Sequence, residues 1–159
     1  MNTLSLDLKS NVWKSDATGP WQGRCDRKGI YVMSHPYEPA QQNTVCRITR
    51  SVALPDGIPN GGSVWLRFYC SDGYIGCDRT NLEVGYEAEN DPDCRYRQIF
   101  VNGQIVWEAD VAGLNPPSPE RFYTCDITPH LNGSDVELTF QVTDTRPTIS
   151  KFATDVYWG

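Results

Sequence analysis

The sequence predicts an all-β fold: an antiparallel β-sandwich of jelly-roll type, with about ten strands in a single domain of residues 1–159. Three observations predict it. Apolar residues recur with a period of two, as in strands that bury one face. Loops rich in Gly, Pro and Asn separate these segments. No window long enough for a helix carries a helical apolar stripe, which leaves a sheet-only architecture.

Several strands are predicted by composition and alternation. Residues 44–54 carry an apolar side chain at most alternate positions, and residues 63–70 are aromatic and β-branched. Trp65 alternates with apolar neighbours in the second segment, so we expect it to be structural. Weaker patterns of the same kind predict further strands at residues 82–87, 121–127 and 149–157.

The clearest local signal is a hairpin within residues 98–107. Two apolar strands flank Asn102-Gly103, and this dipeptide favours the two-residue type I′ turn because both positions need positive φ. Residues 135–143 then alternate strictly. They place one apolar row on a single face, formed by Val136, Leu138, Phe140 and Val142.

Charge and hydropathy exclude two classes of partner. The formal net charge is −6, and the densest basic group, Arg24, Arg27 and Lys28, is weak evidence for the clustered Lys and Arg that phosphate binding needs. We therefore expect no nucleic acid partner. A local basic site for an acidic sugar polymer stays open as an alternative. No apolar run is long enough to span a bilayer, so we expect no membrane partner either.

The chain contains six cysteines, an even number without the C-x2-C spacing of zinc or redox motifs. This usage favours disulfides and an extracellular, secreted protein. Residues 1–9 lack the features of a signal peptide, so we expect the chain to be part of a longer secreted protein. Asn132-Gly133-Ser134 fits an N-glycosylation acceptor and equally well a plain turn.

The order of segments in the second half of the chain carries a family resemblance. The hairpin at residues 100–107 is followed by 122–128, Leu131-Asn132-Gly133, 136–140 and 155–157. This order resembles the galactose-binding-domain-like jelly roll of many carbohydrate-binding modules in secreted bacterial enzymes. The resemblance implies a noncatalytic domain whose partners are a polysaccharide and an appended catalytic domain.

Antiparallel alternation predicts which loops share an end of the sandwich. Bridged cysteines need Cα atoms within about 7 Å, so a cysteine at one end does not pair with one at the other. Alternation of the strands places Cys25 and Cys94 at one end and Cys46, Cys70, Cys77 and Cys125 at the other. The predicted bridges are Cys25–Cys94, Cys70–Cys77 and Cys46–Cys125. The alternation assigns one end, the top, to residues 11–29, 55–62, 88–95, 109–120 and 144–148, and the bottom to 34–43, 71–81, 102–103 and 128–134.

The top end gathers the residue types that sugar recognition needs, a flat apolar ring and rigid polar groups. Trp21, on a Gly-Pro loop, is the first candidate for stacking, with capping of the core as its alternative. Trp13 is assigned to the same end. Asn115 is a further polar candidate there.

Three arginines, Arg95, Arg97 and Arg146, are candidates for binding a carboxylate or sulfate, with solvated surface positions as their alternative. Tyr37 and Tyr74 lie in bottom loops. They form the stacking pair if the assignment of ends is reversed.

Calcium is the expected cofactor, in a structural role. Residues 87–93 place four carboxylates and an Asn in seven positions, and Asp91 and Asp93 are the candidate ligands, with a solvated acidic loop as the alternative. The resemblance implies a second ligand position on the last strand, which Asp155 matches, with Asp7 as its neighbour.

No catalytic residue is predicted, because both histidines fall in loops and no G-x-S-x-G is present. The sequence thus favours a noncatalytic module that anchors a secreted multi-modular enzyme to a polysaccharide. Two alternatives stay open, a small secreted polysaccharide lyase or hydrolase domain and a protein-binding adhesion module.

Overall fold

The computed structural model describes residue 6 and residues 12–17, 22–26, 29–33, 44–54, 62–72, 95–110, 121–144 and 155–158. Side chains are described within a subset of these ranges, namely residue 6 and residues 12–16, 45–54, 62–68, 96–109 and 122–143.

Strand dominates these residues and every strand pair is antiparallel, which confirms the predicted all-β class. No helix in the described part of the chain has the length and apolar character needed to cross a membrane. The strands are β1 (Lys14–Ala17), β2 (Gln22–Asp26), β3 (Gly29–Met33), β4 (Thr44–Ala53), β5 (Trp65–Asp72), β6 (Arg95–Val101), β7 (Gln104–Asp110), β8 (Arg121–Asp126), β9 (Asp135–Asp144) and β10 (Asp155–Trp158).

The described strands form two five-stranded sheets. The first has the order β1-β4-β9-β6-β7 and the second the order β2-β3-β10-β5-β8. Strands β4, β5 and β9 and the hairpin of β6 and β7 lie where alternation predicts them. The predicted strand at residues 82–87 lies outside the described residues.

The core draws on both sheets. Alternate residues of β4, β6 and β9 point into it, and Phe68 of β5 joins them from the second sheet. Phe68 meets Trp107 edge to face at a centroid distance of 5.0 Å and stacks with Tyr123 at 5.6 Å. The remaining buried members are Trp13, Cys46, Ile48, Ile99, Val101, Ile127, Val136, Leu138, Phe140 and Val142.

Four chain segments meet at one end of the sheets, which we name the turn end: Leu54, residues 62–64, the Asn102-Gly103 turn and residues 127–134. Leu54 N–H donates to Ser134 O at 2.8 Å, and Ile127 N–H donates to Val64 O at 2.9 Å. The chain thus leaves β4 and enters β5 at the same end as residues 128–134. The predicted assignment of this crossing to the opposite end is therefore wrong.

The amino-terminal part also departs from the predicted loops. Residues 11–29, expected as one loop, contain β1 and β2. Two extra strands leave the later alternation of ends unchanged, so the predicted ends fail further along the chain. Strand β5 begins and β6 ends at the turn end, which places residues 72 and 95 together at the opposite end, whereas the prediction assigned them to different ends. Trp13, expected at a loop site, is buried, and its ring lies 5.7 Å from that of Phe140.

The predicted bridge Cys46–Cys125 is not formed, because both side chains are free thiols. Cys46 lies level with Val142 and Arg97, five residues or about 17 Å along the strand from Asn102 at the turn end. Cys125 precedes the turn end in β8 of the other sheet. This separation is well beyond the 7 Å or so that a disulfide spans.

The other two bridges, Cys25–Cys94 and Cys70–Cys77, involve residues that fall largely outside the description. Cys77 and Cys94 are not described, and of Cys25 and Cys70 only the backbone is. Cys25, Ile30, Trp158 and Cys70 form one row across β2, β3, β10 and β5. Cys25 and Cys70 are thus level with each other, contrary to their predicted placement at opposite ends.

Replacing Asn102 with Ala should destabilise the protein by about 1–3 kcal/mol. Asn102 holds φ at 50° before Gly103 at 78°. Its side chain accepts from Glu137 N–H at 2.9 Å and donates to His130 O at 2.8 Å. Urea unfolding measures the change. Ser134→Ala, at an exposed position of the same turn end that bonds to Leu54 through its backbone carbonyl, is the matched control. An equal loss in both variants contradicts the assignment.

Cys46 should resist alkylation until the protein unfolds. Burial, and secondarily the charge of Asp16, raises the pKa of the Cys46 thiol to about 12, so little thiolate forms at about pH 9. Iodoacetamide labelling at that pH, followed by peptide mass mapping, should modify Cys46 only in denaturant. Labelling of native Cys46, or a Cys46–Cys125 peptide under non-reducing conditions, contradicts this.

Candidate functional site

Most of the sugar-binding residues predicted from sequence lie outside the described residues, so their roles stay predictions. These are Trp21, Asn115, Arg146, Tyr37 and Tyr74. Arg95 is the first residue of β6, and its backbone alone is described. Arg97 is described and corrects an expectation. It is 1% exposed and shares its side of β6 with Ile99 and Val101, so it does not present its guanidinium at the surface.

Most of the predicted calcium ligands also lie outside the described residues. Asp7, Asp91 and Asp93 lie outside the described residues, and Asp155 is described as the first backbone position of β10. Among the residues whose side chains are described, no three His, Cys, Asp or Glu form a group suited to a metal ion. The calcium site stays a prediction.

The described residues that best fit a binding surface lie on β5 and β8 of the second sheet. Along residues 63–68 every second side chain contributes to the core or packs against it, and the others are exposed. The same alternation holds along residues 122–126 of β8. We name the exposed set the aromatic face, formed by Trp65, Arg67, Phe122, Thr124 and Asp126.

Strand pairing sets the layout of the aromatic face. Trp65 is opposite Asp126, and Arg67 is opposite Thr124. Phe122 lies two residues along β8 from Thr124, further from the turn end. Among the described strands β8 is the last of its sheet, so within the described part of the chain this face reaches the sheet edge.

Both rings of this face are open to solvent. Trp65 is 55% exposed and Phe122 is 66% exposed. Trp65 Nε1–H donates to Ser63 Oγ at 3.1 Å, which restrains the indole orientation. A restrained, exposed indole offers a flat apolar surface without needing to be ordered on binding.

The charged groups of the aromatic face differ in how they are engaged. The Arg67 guanidinium carbon lies 4.7 Å from the Phe122 ring centroid, over the ring. Asp126 Oδ1 accepts the Thr128 N–H at 2.9 Å. Hydrogen bonding by the Thr128 side chain and then its backbone N–H lowers the pKa of Asp126, so this carboxylate is ionised at neutral pH.

Trp65 was expected to be structural, and its exposure shows that this expectation is wrong. The residues that pack inward are Val64, Leu66 and Phe68, which have the opposite parity. The sequence contained a usable signal, because Ser63 and Arg67 share the parity of Trp65. Polar residues at i−2 and i+2 indicate an outward face.

The side of the first sheet that faces away from the core carries a second set of polar groups. Strand pairing aligns them in one row across all five strands: Asp16, Arg47, Gln141, Gln98 and Glu108. Arg47 Nε–H donates to Asp16 Oδ2 at 2.9 Å. Gln98 donates from Nε2 to Glu108 Oε2 at 2.6 Å and accepts from Gln141 Nε2 at 2.9 Å.

Thr143, two residues along β9 from Gln141, joins these groups. Its hydroxyl donates to Gln98 Oε1 at 2.9 Å, and Gln141 Nε2 donates to Thr143 Oγ1 at 3.1 Å. The Gln98 carbonyl and the Gln141 amide group thus have their main hydrogen-bonding positions occupied within the sheet. We therefore interpret this row as a stabilising network rather than as a ligand site.

Comparison with known proteins adds no assignment. No model of a protein family matches the chain, and no curated protein matches it.

Replacing Gln98 with Leu should lower the free energy of unfolding by about 1–3 kcal/mol, because Glu108, Gln141 and Thr143 each lose a partner. Urea unfolding gives the value. The matched control is Thr124→Val, an exposed strand position that should change stability by less than about 0.5 kcal/mol. A Gln98→Leu variant as stable as the parent protein would show that the network contributes nothing.

Proposed function

We propose that this chain is a noncatalytic carbohydrate-binding module that anchors a secreted multi-modular enzyme to a polysaccharide. The observation that carries the proposal is the aromatic face, where two exposed rings lie on paired strands beside polar and charged groups. Monomeric proteins seldom expose large apolar side chains together on one face unless the face binds something.

Trp65 is the main contact in this proposal. The C–H side of a sugar ring stacks on the exposed indole, whose orientation the Ser63 hydrogen bond restrains. Sugar hydroxyls need acceptors and donors at the ring edge. The ionised Asp126, directly opposite Trp65, supplies an acceptor, and Thr124 supplies a hydroxyl.

A contact of this size predicts weak binding. One or two stacked rings and a few hydrogen bonds correspond to micromolar to millimolar dissociation constants, about −4 to −8 kcal/mol. Weak single contacts suit a module that holds an enzyme on a polymer with many equivalent sites.

The jelly-roll sandwich itself belongs to the proposal. It is supported by two antiparallel five-stranded sheets and by the packing of Phe68 and Tyr123 of one against Trp107 of the other. Structural calcium, held by Asp7 and Asp155 or by Asp91 and Asp93, is part of the same proposal, as are secretion and the appended catalytic domain.

An adhesion module that binds protein is the second candidate. It is favoured by β8, which is the outermost of the described strands in its sheet and carries the exposed Phe122. An open edge strand is able to pair with a strand of another chain.

Replacing Trp65 with Ala should abolish retention in affinity gel electrophoresis against a panel of neutral and acidic polysaccharides. The side chain is exposed, so the melting temperature should change little. Ile105→Ala is the matched control, because Ile105 is an exposed apolar residue, 49% exposed, on the other sheet. Its variant should migrate like the parent protein.

Retention of Trp65→Ala equal to that of the parent protein would exclude the aromatic face as the binding surface. Absence of retention of the folded parent protein on every polymer would favour the adhesion module.

A further inference from the structure

We propose that the aromatic face is selective for acidic polysaccharides, with the anionic group of the sugar bound by Arg67. This inference rests on the proposed function and names the substrate class of the same site. Its occupant is a uronate-containing polymer whose carboxylate faces the guanidinium while a sugar ring stacks on Trp65.

Arg67 is available for an external anion. Its side chain is exposed, and its interaction within the structure is the contact with the Phe122 ring. Asp126, which strand pairing places opposite Trp65, accepts a hydrogen bond from Thr128 N–H. By contrast, Arg47 on the first sheet is already paired with Asp16.

Contact with the Phe122 ring restrains the Arg67 side chain before any ligand binds. With the guanidinium carbon 4.7 Å from the ring centroid, the ring face restrains the long side chain near one position. An arginine that rests on an aromatic ring keeps N–H donors at its edge, and those donors match the two oxygens of a carboxylate. The ordering cost on binding is therefore lower than for a free surface arginine.

The spacing along β5 links the stacking and the charge contacts. Trp65 and Arg67 are two residues apart on the same side of one strand, about 7 Å. A ring on Trp65 and a substituent of that sugar or its neighbour reach both side chains. The two contacts therefore act on one stretch of polymer.

The charges of the aromatic face determine at which end of the face a carboxylate of the polymer binds. Asp126 lies opposite Trp65 and disfavours a carboxylate at that end of the face, while Arg67 favours one toward Phe122. The formal net charge of the chain is −6, so general attraction does not bring an acidic polymer to the surface. Selectivity for acid thus depends on Arg67.

The test compares polygalacturonate with its methyl ester, which removes the charge and keeps the sugar. We expect the parent protein to bind the acid form about tenfold more tightly than the ester, as one charge-assisted contact predicts. In Arg67→Gln this ratio should fall to about one, because the acid form loses the charge-assisted contact that the ester never makes. Arg67→Lys, which keeps the charge but loses the planar fork, should retain part of it.

Each of the following outcomes of this comparison overturns the inference. If Arg67→Gln keeps the preference for the acid form, Arg67 is not the anion contact. If the parent protein binds acid and ester equally, and Trp65→Ala abolishes both, the proposed function stands and the acidic selectivity fails. If the folded parent protein binds neither these polymers nor any neutral one, the proposed function fails and the inference fails with it.

A parallel pair, dextran sulfate and dextran, distinguishes the source of the anion. Retention on polygalacturonate above that on dextran sulfate supports the carboxylate. Equal Arg67-dependent retention on both supports a site for either anionic group, and retention on dextran sulfate alone overturns the uronate assignment.

Discussion

The pairing of β9 on both sides is the constraint on which the first sheet depends. Its ten residues pair with β4 along their whole length and with β6 along seven. Strict alternation puts Val136, Leu138 and Phe140 in the core. Because side chains alternate with a period of two, a slip by one residue exposes this apolar row and buries the polar one. Burial of one face therefore fixes the register of three strands together.

The turn end connects this sheet to the strands that carry the candidate site. Asn102 hydrogen bonds to Glu137 in its own sheet and to the carbonyl of His130, which follows β8. Ile127 and Thr128 in turn bond to Val64, the residue before Trp65. Local hydrogen bonds at one end thus determine where β5 and β8 begin and end, and hence which side chains meet on the aromatic face.

The polar row of the first sheet and the aromatic face of the second differ in how many of their hydrogen-bonding groups are already paired within the protein. On the first sheet, Gln98, Gln141 and Glu108 bond to one another, and such groups stabilise the sheet and leave less for a ligand. On the aromatic face, Arg67 contacts a ring rather than an acid. Unused donors beside exposed aromatic carbon are what a sugar-binding surface requires, since hydroxyls need partners and C–H faces need flat apolar area.

The sequence by itself determined the all-β class, the strands β4, β5 and β9 and the Asn102-Gly103 hairpin, because alternation and turn geometry are local properties. The polar residues Ser63 and Arg67, two positions before and after Trp65, also indicate that Trp65 faces outward. The prediction of a structural Trp65 did not use this signal. Tertiary structure alone decided the ends of the sheets, the separation of Cys46 from Cys125, the burial of Arg97 and the contact of Arg67 with Phe122. All of these depend on which distant strands pair. Period-two alternation distinguishes the two faces of a strand but does not predict which strands lie beside it.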